Sequence, residues 1–360
     1  MYTYKKLINH RYFVAGQSNQ WTFLYSVHKA LHKSHSTLPI DYKCVIRVKE
    51  VMLEINNTAF FYGDFTKVRE QFTEACEWID RELGFKYKST RIGEYEDNLK
   101  LFVNEAGTIP EDDKELMDRF YIFMQSATEA CQIIRIWNTF KGGDHKGLRE
   151  RVKEIMKGKS LRPEAIKKNS KNNSDDPARD FSFELNIASR FLKSGYDIDL
   201  TEECDVVVDL NGKKLYVECK RIKSSKQLKK RVKSASEQIT RRIGANRNKK
   251  YGLVALDVTD ILIPDGTVTI TSSLASFNHR IKRLVTDYAK ENSEILSKNI
   301  TRDVIGVLFE FSSSSFIYNK YEEPQLGFGR STCMSIPGIK KKKSLAVVSE
   351  FIDKIANQHI

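Results

Sequence analysis

Asn211-Gly212 constrains this chain more than any other pair of residues in it. A two-residue type I′ hairpin loop needs positive φ at both central positions, and Asn-Gly meets that need with least strain. With Leu210 and Lys213 flanking the turn, residues whose numbers share one sum face each other, which sets Asp205 opposite Glu218. Counted outward from the turn, that pair is of the non-hydrogen-bonded kind, with Cα atoms about 4.5 Å apart. Alternation along a strand puts Lys220 on the face of Glu218 and turns Cys204, Val206, Val217 and Cys219 to the other. Like charges directly across a ladder destabilise it. A divalent cation between the carboxylates would offset that repulsion, and the Lys220 amine would stand beside the water such a cation carries. Charged residues on the outer face of a hairpin are also common, so a further signal is needed.

That signal lies upstream. Phe181, Leu185, Ile187, Ala188, Phe191 and Leu192 form one apolar stripe at about 100° per residue, with Ser189, Arg190 and Lys193 opposite. Glu184 falls inside the stripe, between the directions of Ala188 and Phe191. A carboxylate on a buried face is costly unless it is paired or binds a metal. Glu184 is therefore a candidate third acidic group, the plainer alternative being a residue at the stripe's edge that reaches solvent.

A Glu on a helix, an Asp at the start of one strand and Glu-Cys-Lys on the next: this order resembles the PD-(D/E)xK nuclease superfamily, whose core has the restriction-endonuclease-like fold. The resemblance covers residues 180–311, about a third of the chain. It implies that Asp205 and Glu218 bind Mg2+, with Mn2+ as a substitute, together with the backbone carbonyl of Cys219. It implies that Lys220 orients or deprotonates the attacking water and that Glu184 binds or orients a metal. Two departures stand out: Cys204 occupies the place of the motif's proline, and Gln238 is followed by Arg242 where RecB-like members carry Gln-x-x-x-Tyr. Gln238 is a candidate catalytic residue on that half match, and equally an edge residue.

The chain has 360 residues and a formal net charge of +13, enough length for two domains and a bias toward an acidic partner. No stretch approaches the roughly 18 uninterrupted apolar residues of a membrane span, and residues 1–6 lack the apolar core of a signal peptide, so a cytoplasmic location without a membrane partner is expected. Cys44, Cys76, Cys131, Cys204, Cys219 and Cys333 show no Cys-x-x-Cys spacing and read as reduced, mostly buried thiols. Cys204 and Cys219, as cross-strand neighbours, admit a disulfide, but small core packing beneath the active face is the role expected of them.

Residues 1–158 read as a mainly helical domain for substrate or partner recognition, with helices at 21–32, 64–83, 112–140 and 146–156 and a strand pair or helix at 42–55. His28, His32 and His35 share a helix face, but no acidic residue stands between them as in a zinc motif, and they read as a solvated helix end. Residues 159–179 are a polar linker containing Pro163, Pro177 and an Asn/Ser/Lys run at 169–174.

Residues 180–360 read as an α/β domain with a mixed sheet flanked by helices. Its strands include 251–258 and 304–311, the latter bounded by a flexible serine run at 312–315, and its later helices 273–288 and 345–355. Asp257 reads as structural, and Gly327-Phe328-Gly329 is too little for a phosphate loop. The helix at 225–243 buries Leu228, Val232, Ala235, Ile239 and Ile243 and carries Lys226, Lys229, Lys230, Arg231, Lys233, Arg241 and Arg242, a density of cations suited to phosphate backbone. The basic run at 340–343 admits either backbone contact or a solvated turn.

The expectation is a magnesium-dependent phosphodiesterase, a DNA endonuclease of restriction or host-defence type, dimeric if both strands of a duplex are cut. The alternative is a nucleic-acid-binding or scaffold protein that uses the same fold without cleavage.

Overall fold

A computed structural model describes residues 51–53, 58–63, 65–104, 113–162, 176–201, 204–263, 267–318, 325–336, 341–356 and 358. Its strands are β1 (Val51–Leu53), β2 (Thr58–Gly63), β3 (Asp197–Asp199), β4 (Val206–Asp209), β5 (Lys214–Arg221), β6 (Lys250–Asp257), β7 (Thr269–Thr271), β8 (Val304–Ile317) and β9 (Gln325–Ile336). Its α-helices are α1 (Phe65–Arg81), α2 (Arg91–Asn104), α3 (Asp113–Phe140), α4 (Leu148–Ile155), α5 (Pro177–Lys193), α6 (Leu228–Ile243), α7 (Thr259–Leu262), α8 (Leu274–Glu291), α9 (Ser293–Asn299) and α10 (Lys341–Ala356).

The Asn211-Gly212 turn forms with φ of 55° and 82°, closed by Leu210 N–H donating to Lys213 O at 2.7 Å and Lys213 N–H to Leu210 O at 3.3 Å. Beyond it, Asp209 faces Lys214, Val208 faces Leu215, Val207 faces Tyr216 and Val206 faces Val217, the register the turn dictates. β5 then runs parallel to β6, and β6 parallel to β8. β3 adds antiparallel to β4, and β9 antiparallel to β8. The strand order is β1-β9-β8-β6-β5-β4-β3, with β2 also on β9 and β7 also on β8. Residues 253–256 in β6 are all fully buried, as a parallel strand covered on both faces requires.

Two apolar layers sandwich the sheet. One joins Phe72 of α1, Phe120 of α3, Phe191 of α5 and Phe351 of α10 to Val206, Val217 and Leu308 of the strands. The other joins Val232 and Ile239 of α6 and Ile281 of α8 to Val207, Tyr216, Val254 and Phe309. The fold is thus mixed α/β, a mixed sheet flanked by helices. Described residues before and after 159–179 contribute to the first layer together, and β1 and β2 pair with β9 from the far end of the chain.

Local chemistry explains where elements begin and end. α5 starts at Pro177, with Asp176 accepting from Arg179 N–H at 3.4 Å, four residues ahead of the first apolar residue of its stripe. Its Ser189 and Arg190, expected opposite the buried stripe, are each 2% exposed, because α5 is covered on both sides.

The serines at 312–315 do not form a flexible boundary. They are the continuation of β8, buried and paired with residues 327–330 of β9. Gly327 and Gly329 lie opposite two of them, and the serine hydroxyls find partners on neighbouring elements: Ser314 with Thr128 of α3 at 2.6 Å and Ser315 with Thr271 of β7 at 3.0 Å. The helix at 21–32 with His28, His32 and His35, most of 42–55, Cys44 and the polar run at 169–174 lie outside the described residues.

Candidate functional site

Glu218 sits in β5, between β4 and β6, and 1% of its side chain is exposed. A carboxylate that deep requires partners. Lys220, two residues along the same face, places Nζ 3.1 Å from Glu218 Oε2 and 3.6 Å from Asp205 Oδ2. Arg242, from the last turn of α6, pairs with Glu218 Oε1. Asp205 lies one residue ahead of β4, and its Oδ2 accepts the Cys219 backbone N–H at 2.7 Å. Asp205 and Lys220 keep 20% and 17% of their side chains exposed, so the cluster opens to solvent on their side.

The residue after Lys220 in β5 is anchored by a separate set of carboxylates. The buried Arg221 guanidinium is gripped by Asp260 at 2.7 Å, Asp257 at 3.4 Å, and Asp176 and Asp180 at 3.5 Å each. Asp257 also accepts from Thr259 N–H at 2.9 Å, which makes it a structural group at the end of its strand.

Cys204 departs from the alternation read in the sequence. Its thiol lies on the Glu218 side, donating to Val217 O at 3.0 Å and standing 3.4 Å from Glu218 Oε1. Residues 204 and 205 precede β4, so the two-residue period does not yet apply to them. Cys204 and Cys219 are both free and buried. Burial, reinforced by Asp205, pushes the Cys204 thiol up to about 11, and burial with Asp205 raises Cys219 well above the usual thiol value. Both therefore stay protonated at neutral pH, which makes Cys204 an S–H donor to the buried carboxylate and a poor nucleophile.

Glu184 does not join this cluster. Its helix covers the sheet face occupied by Val217 and Cys219, whereas the neighbours of Glu218 on its own side, Val207 and Tyr216, belong to the other layer. Glu184 pairs with Arg151 of α4, whose guanidinium also donates to Leu200 O at 3.1 Å and 3.4 Å. Burial lowers the Arg151 pKa, and the Asp205 charge, with Cys219 and Cys204, acts against it. Among the described residues no group of three His, Cys, Asp or Glu side chains gathers closely enough to hold a metal ion. The site that forms is two carboxylates and an amine, with Arg242 paired to Glu218.

The pairing of Arg242 with Glu218 is not foreseen from the sequence, where Arg242 stands among the phosphate-facing cations, although its place four residues after Gln238 on one helix face marks it as able to reach what Gln238 reaches. Arg151 lies in a basic helix far upstream, with no local pattern tying it to Glu184. Gln238 itself is half-buried, and its Oε1 has no hydrogen-bond partner among the described residues. Of the other cations expected to bind nucleic acid, Lys226, Lys229, Lys230, Lys233 and Arg241 are exposed, while Arg231 is half-buried.

The side chains of residues 341–343 lie outside the described ones. No described helix is long and apolar enough to cross a membrane. No protein-family model matches the chain, and no curated protein is similar to it.

Proposed function

We propose that this chain is a metal-dependent nuclease that hydrolyses phosphodiester bonds, with DNA as the substrate class and an endonuclease of restriction or host-defence type as the analogy that the motif resemblance suggests. The observation that carries the reading is the single Lys220 amine flanked by Asp205 and Glu218, 3.6 Å and 3.1 Å away, on an interior strand of an α/β sheet. The donor chemistry fits Mg2+, which is content with one or two carboxylates and keeps waters in its remaining positions. Asp205, Glu218 and the Cys219 carbonyl are the groups that would hold it. When bound, the ion supplies charge neutralisation on the scissile phosphate and acidifies a water.

The chain's own groups do the remainder. Lys220 orients the attacking water and stabilises the negative charge that develops on the phosphate. Arg242 and the Cys204 thiol hold Glu218 Oε1, leaving Oε2 toward Lys220 and the open side. Glu184 acts on this reading as the partner of Arg151. The exposed cations of α6 track the backbone of the substrate, the helices ahead of residue 159 select substrate or partner, and cutting both strands of a duplex calls for two copies of the chain.

One observation favours a second reading. Both oxygens of Glu218 already have cationic partners within the chain, so the site is electrostatically satisfied without an ion, as in a non-catalytic nucleic-acid-binding or scaffold protein. Incubating the purified chain with plasmid, linear duplex, single strands and RNA, in Mg2+ or Mn2+ with and without EDTA, separates the two. EDTA-sensitive cleavage supports the nuclease. Salt-sensitive binding with no cleavage under any of these conditions supports the scaffold.

A further inference from the structure

A second charge cluster lies on the sheet face that α3 and α5 cover. Arg135 of α3, Arg190 of α5 and Arg330 of β9 surround Glu310 of β8, and they are 3%, 2%, 1% and 2% exposed respectively. Glu310 is the one carboxylate among the described residues that pairs with all three. Its Oε2 is taken by Arg190, at 3.0 Å from Nε and 2.9 Å from Nη2. Its Oε1 stands 3.9 Å from both Arg135 Nη1 and Arg330 Nη1, beyond hydrogen-bond reach.

Other acceptors account for only part of what remains. Arg190 Nη1 donates to Ile355 O at 2.9 Å, and Arg135 Nη1 to Asn186 Oδ1 at 2.9 Å and Gln132 Oε1 at 3.2 Å. Arg135 Nε and Nη2, Arg330 Nε and Nη1, and the Oγ1 of Thr332 are buried without a hydrogen-bond partner among the described residues. Thr332 faces Glu310 directly across β8 and β9, and Arg330 is two residues from it on the same face. Three guanidiniums against one carboxylate leave an excess of buried positive charge that arginine cannot relieve by losing a proton. Burial lowers the pKa of all three, most strongly for Arg330, where its two arginine neighbours add to the effect.

We propose that Arg135, Arg330 and Thr332 seat a compact inorganic oxyanion, of the phosphate or sulfate class, that completes the core where α3 and α5 meet β8 and β9. The unused Nε and Nη2 of Arg135 form one planar fork that matches two oxygens of such an anion, Arg330 adds a single charged N–H, and the hydroxyl adds a neutral donor. A cleft of about 350 Å³, open mouth included, reaches Glu310 and the two residues that hold Arg135, Gln132 and Asn186, but not Arg135, Arg330 or Thr332 themselves, so the anion is enclosed behind that first row of side chains. Glu310, Arg330 and Thr332 share the face of Leu308, Phe328 and Met334 in the first apolar layer, whereas Glu218 and Lys220 share the face of Tyr216 in the second, so the anion site is separate from the proposed nuclease site.

The test uses the full chain. After exhaustive dialysis into chloride the protein is denatured and the released anions are measured by ion chromatography, with about one phosphate or sulfate per chain expected. In parallel, the Tm is measured in inorganic phosphate or sulfate against chloride of equal ionic strength, and binding to the native state should raise it. Arg330→Gln and Arg135→Gln should each lose the released anion and the anion-dependent rise; where one variant does not fold, the other carries the comparison. Wild-type protein that releases no anion and shows no rise beyond chloride would overturn the proposal, leaving water as the partner of those donors. Folded variants that keep the full stoichiometry would overturn it as well.

Discussion

Glu218 has almost no exposed side chain, yet each of its oxygens meets a cation, Lys220 at one and Arg242 at the other. Removing one member of such a buried pair is strongly destabilising, so Glu218→Ala should lower stability by roughly 3–5 kcal/mol in denaturant titration. Lys220→Ala removes a partly exposed amine and should leave the fold intact while lowering metal-dependent cleavage by about 10²–10⁴-fold. An unchanged cleavage rate in folded Lys220→Ala would take Lys220 out of the reaction. Asp205, Glu218 and Lys220 were legible from the sequence because one turn fixes register and register fixes faces. Glu184 was legible only as a buried carboxylate: its stripe says that it faces a core, but not that its partner is an arginine 33 residues upstream. Arg242 was misread for a related reason, since a helical wheel shows an edge position without showing the carboxylate beneath it.

Secondary elements whose signals are local came out where periodicity put them. The stripe of α6 is buried at every position named, 0–1% exposed, and the helix stops at Gly244 with φ of 63°. Two glycines carry the geometry of this part of the sheet. Gly212 has φ of 82°, so Gly212→Ala should destabilise the hairpin by about 1 kcal/mol through backbone strain. Gly252 of β6 lets α6 approach, since a Cβ there would run into Ile239. Gly252→Ala should cost about 1–3 kcal/mol by overpacking, read as a lower denaturation midpoint with an unchanged slope. The serine run of β8 was not legible as strand, because what makes it strand lies elsewhere: glycine partners on β9 and hydroxyl partners on α3 and β7. The polar flank of α5 failed in the same way, as a residue that looks solvent-facing on one helix is buried when a second layer of helices covers it.

Charge organises the molecule as a whole. Inside, Glu129, Asp176 and Glu310 are buried, and although burial alone would raise their pKa values, the surrounding arginines hold them below the usual carboxylate range. Their contribution is present above the unfolded carboxylate pKa of about 4 and is lost as pH falls through the depressed folded values. Asp180 and Asp257, raised by burial, act in the opposite sense. The Tm should therefore be nearly level from neutral pH to about 5 and drop below about 4; a Tm held constant to about pH 3 would show that these ion pairs contribute nothing. Outside, Lys226, Lys229, Lys230 and Lys233 are exposed along one segment, and each changed to Gln should reduce the salt dependence of nucleic-acid binding by about 1 in log–log slope, uniformly across sequences. Fold class was legible at this scale from alternating strand and helix patterns, whereas the pairing of β1 and β2 with β9 joins chain segments too distant for any local pattern to connect. The most direct measurement is plasmid cleavage by wild type and Glu218→Gln side by side, in Mg2+ with and without EDTA, with folding checked by circular dichroism. Cleavage by wild type alone, abolished by EDTA, is the expected result; equal cleavage by folded Glu218→Gln, or none by wild type on any nucleic acid, would contradict the account.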